Sequence, residues 1–370
     1  CCAENLGYKQ ASKRIEEINA KVTLFVVYGQ NPNAGTTSMI GATGLAECVY
    51  DSEVDTKIGF VGSHVSALPK SVLKLKFVDF VLLNEGVYAL WNLLKTNLKY
   101  DDLKNIKGIG WKDNDENLII NNPEDIVPQE RMDIDLPGYA WDLLPMKKTP
   151  LDLYRSHVWH ANFNEAKRTP YAAIYTSLGC VFGCEFCMIN ILNRTDNSRN
   201  ISSGDSRVMR FWSVNWVLRQ FKILRELGVT TIRISDEMFL LNHNYYEPIC
   251  KGLVEADYGL HMWAYSRVDT ARGKFLDLVS NAGIKWLALG IEAGSQMVRQ
   301  EVSKGSFKEV NIRNITSMIN EHNINIIANA IVKMSKLAFV KEIKEAEINP
   351  VIVKKETQGI IAVDGLITLN

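Results

Sequence analysis

The sequence predicts an α/β protein in which an N-terminal Rossmann-like parallel sheet is followed by a partial (βα) barrel whose last strand or strands give way to an unrelated tail. Three observations carry this. Short apolar runs alternate with amphipathic stretches up to about residue 100. A regular strand-helix repeat then begins at Tyr171, and it stops near Ile331. Alternation of this kind specifies parallel strands joined by helices.

Taken in order, Val22-Thr23-Leu24-Phe25-Val26-Val27-Tyr28 reads as a buried strand, Lys57 to Gly62 as a second and Val78 to Leu83 as a third. Residues 101–165 are mixed and polar. Asn121-Asn122-Pro123 and Leu136-Pro137-Gly138 interrupt any long element there, so this stretch reads as a connector. Further strands are expected at 172–177, 230–234, 261–265, 285–290 and 324–329. The helix expected at 214–227 shows why: Val214, Val217, Leu218, Phe221, Leu224 and Leu227 share one face, Ser213 caps the start and Gly228 ends it. The implied domains are 1–100, a connector at 101–165, the partial barrel at 166–330 and an atypical tail at 331–370.

With 42 basic and 42 acidic residues in 370, net charge implies neither a nucleic-acid nor an anionic-membrane partner. No apolar run reaches the roughly 18 residues of a membrane span, and no secretory leader opens the chain, which starts on Cys1 rather than Met as a fragment would. Seven cysteines, three of them clustered, fit a reducing, cytoplasmic setting. Cys1, Cys2, Cys48 and Cys250 read as unpaired thiols.

The cluster is Cys180-Val181-Phe182-Gly183-Cys184-Glu185-Phe186-Cys187, three thiols on a Gly-flanked loop just after the first strand of the repeat. Soft thiolates hold iron-sulfur clusters, and three ligands on a four-iron cube leave one iron open. Zinc would want a fourth ligand nearby, whereas the next His is His243 and the next Cys is Cys250. The spacing resembles that of radical S-adenosylmethionine enzymes. The resemblance implies a 4Fe-4S cluster on Cys180, Cys184 and Cys187 whose open iron binds S-adenosylmethionine, one electron then cleaving it to a deoxyadenosyl radical. It also implies a small-molecule substrate and an electron donor such as flavodoxin or ferredoxin.

Chemistry in such barrels sits at the C-terminal ends of the strands. Under the resemblance, Phe186 lies against the adenine, and Asp236 or Glu237 accepts a hydrogen bond from the cofactor's amino group. The sequence leaves that pair open, and an acidic pair after a strand is also an ordinary helix cap. Arg267 is placed on the cofactor carboxylate, with an ion pair to Asp236, Asp269 or Glu292 as the structural alternative. Glu292, in Gly290-Ile291-Glu292-Ala293-Gly294-Ser295, binds ribose hydroxyls or orients Arg267.

Two further segments carry resemblances. Gly62-Ser63-His64-Val65-Ser66-Ala67-Leu68-Pro69 and Asp79 to Gly86, followed by Asp135-Leu136-Pro137, resemble the cobalamin-binding domain that precedes the barrel in a large radical subclass. That places a ligand near Tyr28-Gly29-Gln30-Asn31, Gly62, His64 and Glu85. The Asp-x-His-x-x-Gly signature for a cobalt-ligating histidine is absent, so cobalamin is expected without that ligand. With it, methyl transfer to an unactivated carbon is the expected outcome and rearrangement the variant. From about Ile331, Lys341 to Val353 and Gly359 to Gly365 resemble the closing segment of an ATP-grasp domain in acyl-CoA synthetases. Too short to make that site, the tail leaves Glu347 and Asn349 inert. It reads as a hairpin against the barrel edge or, preferably, as a join between unrelated sequences that leaves the adenosine pocket incomplete. The competing readings are a tRNA methylthiotransferase-like radical enzyme and a catalytically incomplete iron-sulfur-binding protein.

Overall fold

The computed structural model describes residues 4–29, 32–96, 98, 100–146, 154–161, 164–193, 207–292, 296–304 and 309–330, together with four strands within 343–369. Cys1, Cys2, Gln30, Asn31, Ala293 to Ser295 and Asn349, singled out in the sequence, lie outside the described residues. The chain divides into two units, Cys1–Leu144 with Gly179–Met209, and Pro145–Leu178 with Arg210–Asn370.

In the first unit, helix α1 (Tyr8–Ile18) leads into β1 (Val22–Val26), α2 (Pro32–Asp51), β2 (Lys57–Val61), two short helices α3 (Ser63–Ala67) and α4 (Pro69–Leu73), and β3 (Phe80–Leu82). The three strands are parallel neighbours in chain order, as the apolar runs predict. Phe25 and Phe60 stack across the first pair with ring centroids 4.9 Å apart. After α5 (Val87–Leu94) and α6 (Tyr100–Leu103), β4 (Ile109–Lys112) and β5 (Leu118–Ile120) extend the same sheet antiparallel. These strands correct the reading of 101–165 as a connector. They are too short for a periodic signal, and Asp113 makes their turn locally, its carboxylate accepting the Asp115 and Asn117 amides at 2.9 and 2.8 Å. Helix α7 (Met132–Asp135) follows.

The second unit contains β6 (Tyr171–Ile174) and most of β7 (Ser177–Gly179), and the chain returns to it in β8 (Met209–Phe211). Helix α8 (Val214–Glu226) begins on Ser213, whose hydroxyl accepts the Trp216 amide at 3.1 Å. Gly228, at φ +86°, ends it in the left-handed region that favours glycine. The repeat continues through β9 (Thr231–Ile234), α9 (His243–Ala256), β10 (His261–Arg267), α10 (Gly273–Asn281), β11 (Ile284–Glu292), α11 (Gln296–Glu301), α12 (Glu309–Glu321) and β12 (Asn325–Ala330). Strands β6, β9, β10, β11 and β12 are parallel neighbours in that order. The expected strands are therefore all present, within a few residues at their ends.

The tail supplies β13 (Ile343–Ile348), β14 (Val351–Val353), β15 (Ile360–Ala362) and β16 (Gly365–Leu369). β14 pairs antiparallel with β12, and β15 antiparallel with β14. The β14–β15 pair thus lies on the edge of the sheet, as the hairpin reading of the tail expects. β13 and β16 form a separate antiparallel pair.

Candidate active site

The cysteine loop belongs to the first unit, whereas the sequence boundaries put it inside the barrel. Cys180 and Cys184 are buried, Cys187 is half-buried, and none of the three forms a disulfide. Gly179 enters the loop at φ +86°, where a Cβ would stand 2.1 Å from the Val208 carbonyl oxygen, so only glycine fits. Two buried asparagines shape the rest of the loop. Asn190 Oδ1 accepts the Cys180 amide at 3.3 Å, and its Nδ2 donates to the Phe182 carbonyl at 3.1 Å. Asn193 Nδ2 donates to Asn190 Oδ1 at 3.3 Å. Sequence reading missed both asparagines. The Cys187 amide donates to the Cys184 carbonyl at 3.1 Å, folding the last two cysteines into one turn.

Among the described residues no three His, Cys, Asp or Glu side chains gather tightly enough to hold one metal ion. A lone zinc would require Zn–S distances of about 2.3 Å from each ligand. A four-iron cube holds its ligands at separate corners, and three reduced, soft thiols on a glycine-shaped loop are the donor set it takes. Phe186 is 41 % exposed beside them.

In the second unit, the ends of the parallel strands separate the sequence candidates from one another. Asp236 is fully buried and accepts the Thr176 amide at 2.6 Å, the Thr176 hydroxyl at 2.5 Å and the Ser177 hydroxyl at 2.6 Å. Burial raises its pKa, against the pull of those hydrogen bonds. Asp236 therefore holds the β6–β7 turn. Glu237 is half-buried, and its charge, after burial, contributes to pushing the Tyr175 hydroxyl up to about 12. Arg267, 3 % exposed, gives its bidentate contact to Asp269, Nε to Oδ1 at 2.9 Å and Nη2 to Oδ2 at 2.8 Å. The structural alternative named for it is thus the one observed. Glu292 pairs neither with Arg267 nor in the open, since its Oε1 lies 3.0 Å from Lys304 Nζ. It does so at φ +65°, where the β11–β12 register shifts, a backbone conformation that costs a non-glycine residue of order 1 kcal/mol or more. Gly290 makes room: a Cβ there would be 2.9 Å from Lys304 Nζ. Lys304 had no signal in the sequence beyond its place after a short helix.

The rim of the first unit's sheet is stitched by serines. Ser63 Oγ accepts the Gly29 amide at 3.1 Å and donates to the Gly29 carbonyl at 2.9 Å, tying the loops after β1 and β2. Ser66 Oγ donates to the Gly62 carbonyl at 2.8 Å and accepts the Asn84 amide at 2.7 Å, tying in the loop after β3. Gly62, at φ +135°, has Val27 O where a Cβ would be, so its role is to allow this close approach rather than to touch a ligand. Glu85 Oε2 accepts the Val127 amide at 2.8 Å. His64 is half-buried, and burial lowers its pKa.

Residues 174–333, from the end of β6 past β12, match the model of the radical SAM superfamily. The matched segment is a radical SAM domain. The match includes Cys180, Cys184 and Cys187 and agrees with the cysteine motif. An uncharacterized methyltransferase from Pyrococcus horikoshii is 25% identical over 305 residues, 82% of this chain and 58% of the relative. In fold, the chain is similar to the cobalamin-dependent S-adenosylmethionine radical enzyme OxsB with aqua-cobalamin bound, at TM-score 0.60 and 18% identity over 88% of this chain and 43% of that one. It is also similar to the radical S-adenosylmethionine methyltransferase TsrM from Kitasatospora setae with cobalamin and a [4Fe-4S] cluster bound, at TM-score 0.59 and 13% identity over 87% of this chain and 58% of that one. The chain spans about half the length of the curated relatives it matches. No helix among its described residues is long and apolar enough to cross a membrane.

Proposed function

We propose that this chain is the catalytic portion of a radical S-adenosylmethionine methyltransferase that uses cobalamin and acts on a small molecule. The observation that carries the reading is the set of three reduced thiols on the loop that follows the first strand of a parallel half-barrel. Methyl transfer draws support from the methyltransferase relative, and cobalamin from the two structures of similar fold that hold it.

When bound, the cluster supplies one electron that cleaves S-adenosylmethionine to methionine and a deoxyadenosyl radical. The chain's residues then have distinct tasks. Cys180, Cys184 and Cys187 hold the iron, and Asn190 and Asn193 keep their loop in shape. Glu237, half-buried beside the fully buried Asp236, is the carboxylate we assign to accept from the cofactor's amino group. Arg267 and Lys304, each on a carboxylate of its own, fix the charge pattern at the strand ends. Phe186 offers an exposed ring for the adenine. In the first unit, Tyr28, Gly29 and His64 line the serine-stitched rim, which suits cobalamin held without a cobalt-ligating histidine. A flavodoxin or ferredoxin is the fitting electron donor.

The test is anaerobic reconstitution with iron and sulfide, followed by reduction with S-adenosylmethionine and assay of deoxyadenosine. Formation of deoxyadenosine by the wild type and loss of the brown chromophore in Cys184→Ala are expected. A chromophore retained in Cys184→Ala would overturn the ligand assignment. Corrinoid retention after supplementation tests the cobalamin part separately.

A further inference from the structure

Burial alternates residue by residue along the parallel strands of the second unit. Ile174, Ile232, Ile234, Met262, Ala264 and Leu287 are fully buried. Tyr175, Arg233, Tyr265 and Trp286, on the opposite face, are half-exposed. That face is the lumen side of a half-barrel, since successive side chains of a strand point to opposite faces.

Arg233 is the cation of this face. Its Nε donates to Ser235 Oγ at 2.9 Å, and its guanidinium lies over the Trp263 ring, 5.8 Å from the centroid. Register places Arg233 beside both Ala173 and Trp263. Its charge acts on the hydroxyls of Tyr171, Tyr175 and Tyr265. Among the described residues no carboxylate lies within ion-pair distance of it. The other charged groups of the strand ends differ in this respect, because Arg267 is paired with Asp269 and Lys304 with Glu292.

Towards the N-terminal ends of the strands the same face is packed. The His160 ring lies 5.1 Å from His261, 6.4 Å from Trp263 and 6.2 Å from Trp286. Arg233 thus stands on an aromatic floor with half-exposed Tyr175 and Tyr265 beside and above it. Glu237 bears on the same Tyr175 and Tyr265 hydroxyls but makes no ion pair with Arg233. The half-buried guanidinium thus has no direct carboxylate partner and favours an anion brought against it. A planar guanidinium backed by an indole favours a carboxylate or phosphate that it can grip with two donors. The flanking rings favour a flat, unsaturated body against them.

We propose that the substrate is a planar, ring-bearing anion whose carboxylate or phosphate seats on Arg233 while its ring lies against Tyr265 and Tyr175. This rests on the reading of the second unit as the catalytic half-barrel.

The experiment is calorimetric titration of the iron-loaded chain with indole-3-acetate and with its neutral isostere, indole-3-acetamide, for wild type, Arg233→Met and Arg233→Lys. Expected is a preference for the acid of about tenfold or more in the wild type. That preference is retained in part by Arg233→Lys and abolished in Arg233→Met. Equal binding of acid and amide by the wild type, binding of neither, or an acid preference that survives Arg233→Met would overturn the proposal. S-adenosylmethionine titrated into the same three proteins separates the two sources of a carboxylate. Unchanged affinity in Arg233→Met is expected, and a loss matching that of the probe would assign Arg233 to the cofactor and sink the proposal. Deoxyadenosine formation by the wild type tests the radical reading independently, so failure of one is distinguishable from failure of the other.

Discussion

Asp236 accepts the backbone amide of Thr176 at 2.6 Å, so a carboxylate at the end of one strand holds the turn at the end of its parallel neighbour. Two hydroxyls complete its shell. Asp236→Ala orphans a buried amide and two buried hydroxyls and is expected to destabilise the protein by about 3 kcal/mol. Asp236→Asn, which keeps one acceptor for the amide, should cost less than half as much. Urea midpoints of the three proteins check this; equal loss for both variants would show that charge rather than the amide contact matters.

Gly62 and Gly41 make a matched pair. A Cβ at Gly62 meets the Val27 carbonyl oxygen at 1.9 Å, whereas at Gly41, inside α2, nothing lies within 4 Å. Gly62→Ala should destabilise the first unit by about 2 kcal/mol or more, and Gly41→Ala should stabilise it by roughly 0.5–1 kcal/mol through helix propensity. Thermal melts followed by circular dichroism read both signs.

Stability should fall in mild acid because of His160. Burial first, then the charges of His261 and His157, lowers its pKa from 6.5 to about 3. The unfolded chain therefore takes up a proton below about 6.5 that the folded chain refuses until about 3. The contribution is complete above the upper value and is lost progressively as pH drops between the two. His261, lowered by burial and by Lys285, acts in the same direction. His160→Phe keeps the ring contacts and removes the proton, so its urea midpoint should change less than that of wild type between pH 7 and pH 5.

The pair of Lys304 with Glu292, 3.0 Å apart, holds a carboxylate at a strained backbone position. Lys304→Met should weaken S-adenosylmethionine binding about tenfold with iron content unchanged, and Lys304→Arg should recover part of it. Loss of iron together with affinity would mean that the pair only supports the fold.

Much of this architecture was legible because periodicity speaks for whole elements. The half-barrel strands and α8 were readable since their buried faces repeat over many residues, and the cysteine loop was readable since soft ligands at short spacing have few other uses. What stayed hidden was the division of labour among single side chains. Asp236 and Glu237 are adjacent, and only the fold shows that Thr176 and Ser177, sixty positions away, claim the first. Gly62 and Glu85 read as ligand contacts because they sit at strand ends, and only the fold shows that the first allows a close approach of the Val27 carbonyl and the second accepts the Val127 amide. β4 and β5 escaped notice because three- and four-residue strands in a polar stretch carry no period. Arg233 was invisible because one arginine in a strand becomes informative only when its neighbours are seen to lack a carboxylate.

The two serines that join Gly29, Gly62 and Asn84 have an entropic consequence. Loops already fastened to one another lose little conformational freedom when something settles on them, so the ordering cost of association is met during folding rather than at each encounter. A ligand arriving at this rim should therefore bind with a small penalty and little change in hydrogen exchange at these amides. Ser66→Ala would release the third loop and transfer that cost back to the binding step.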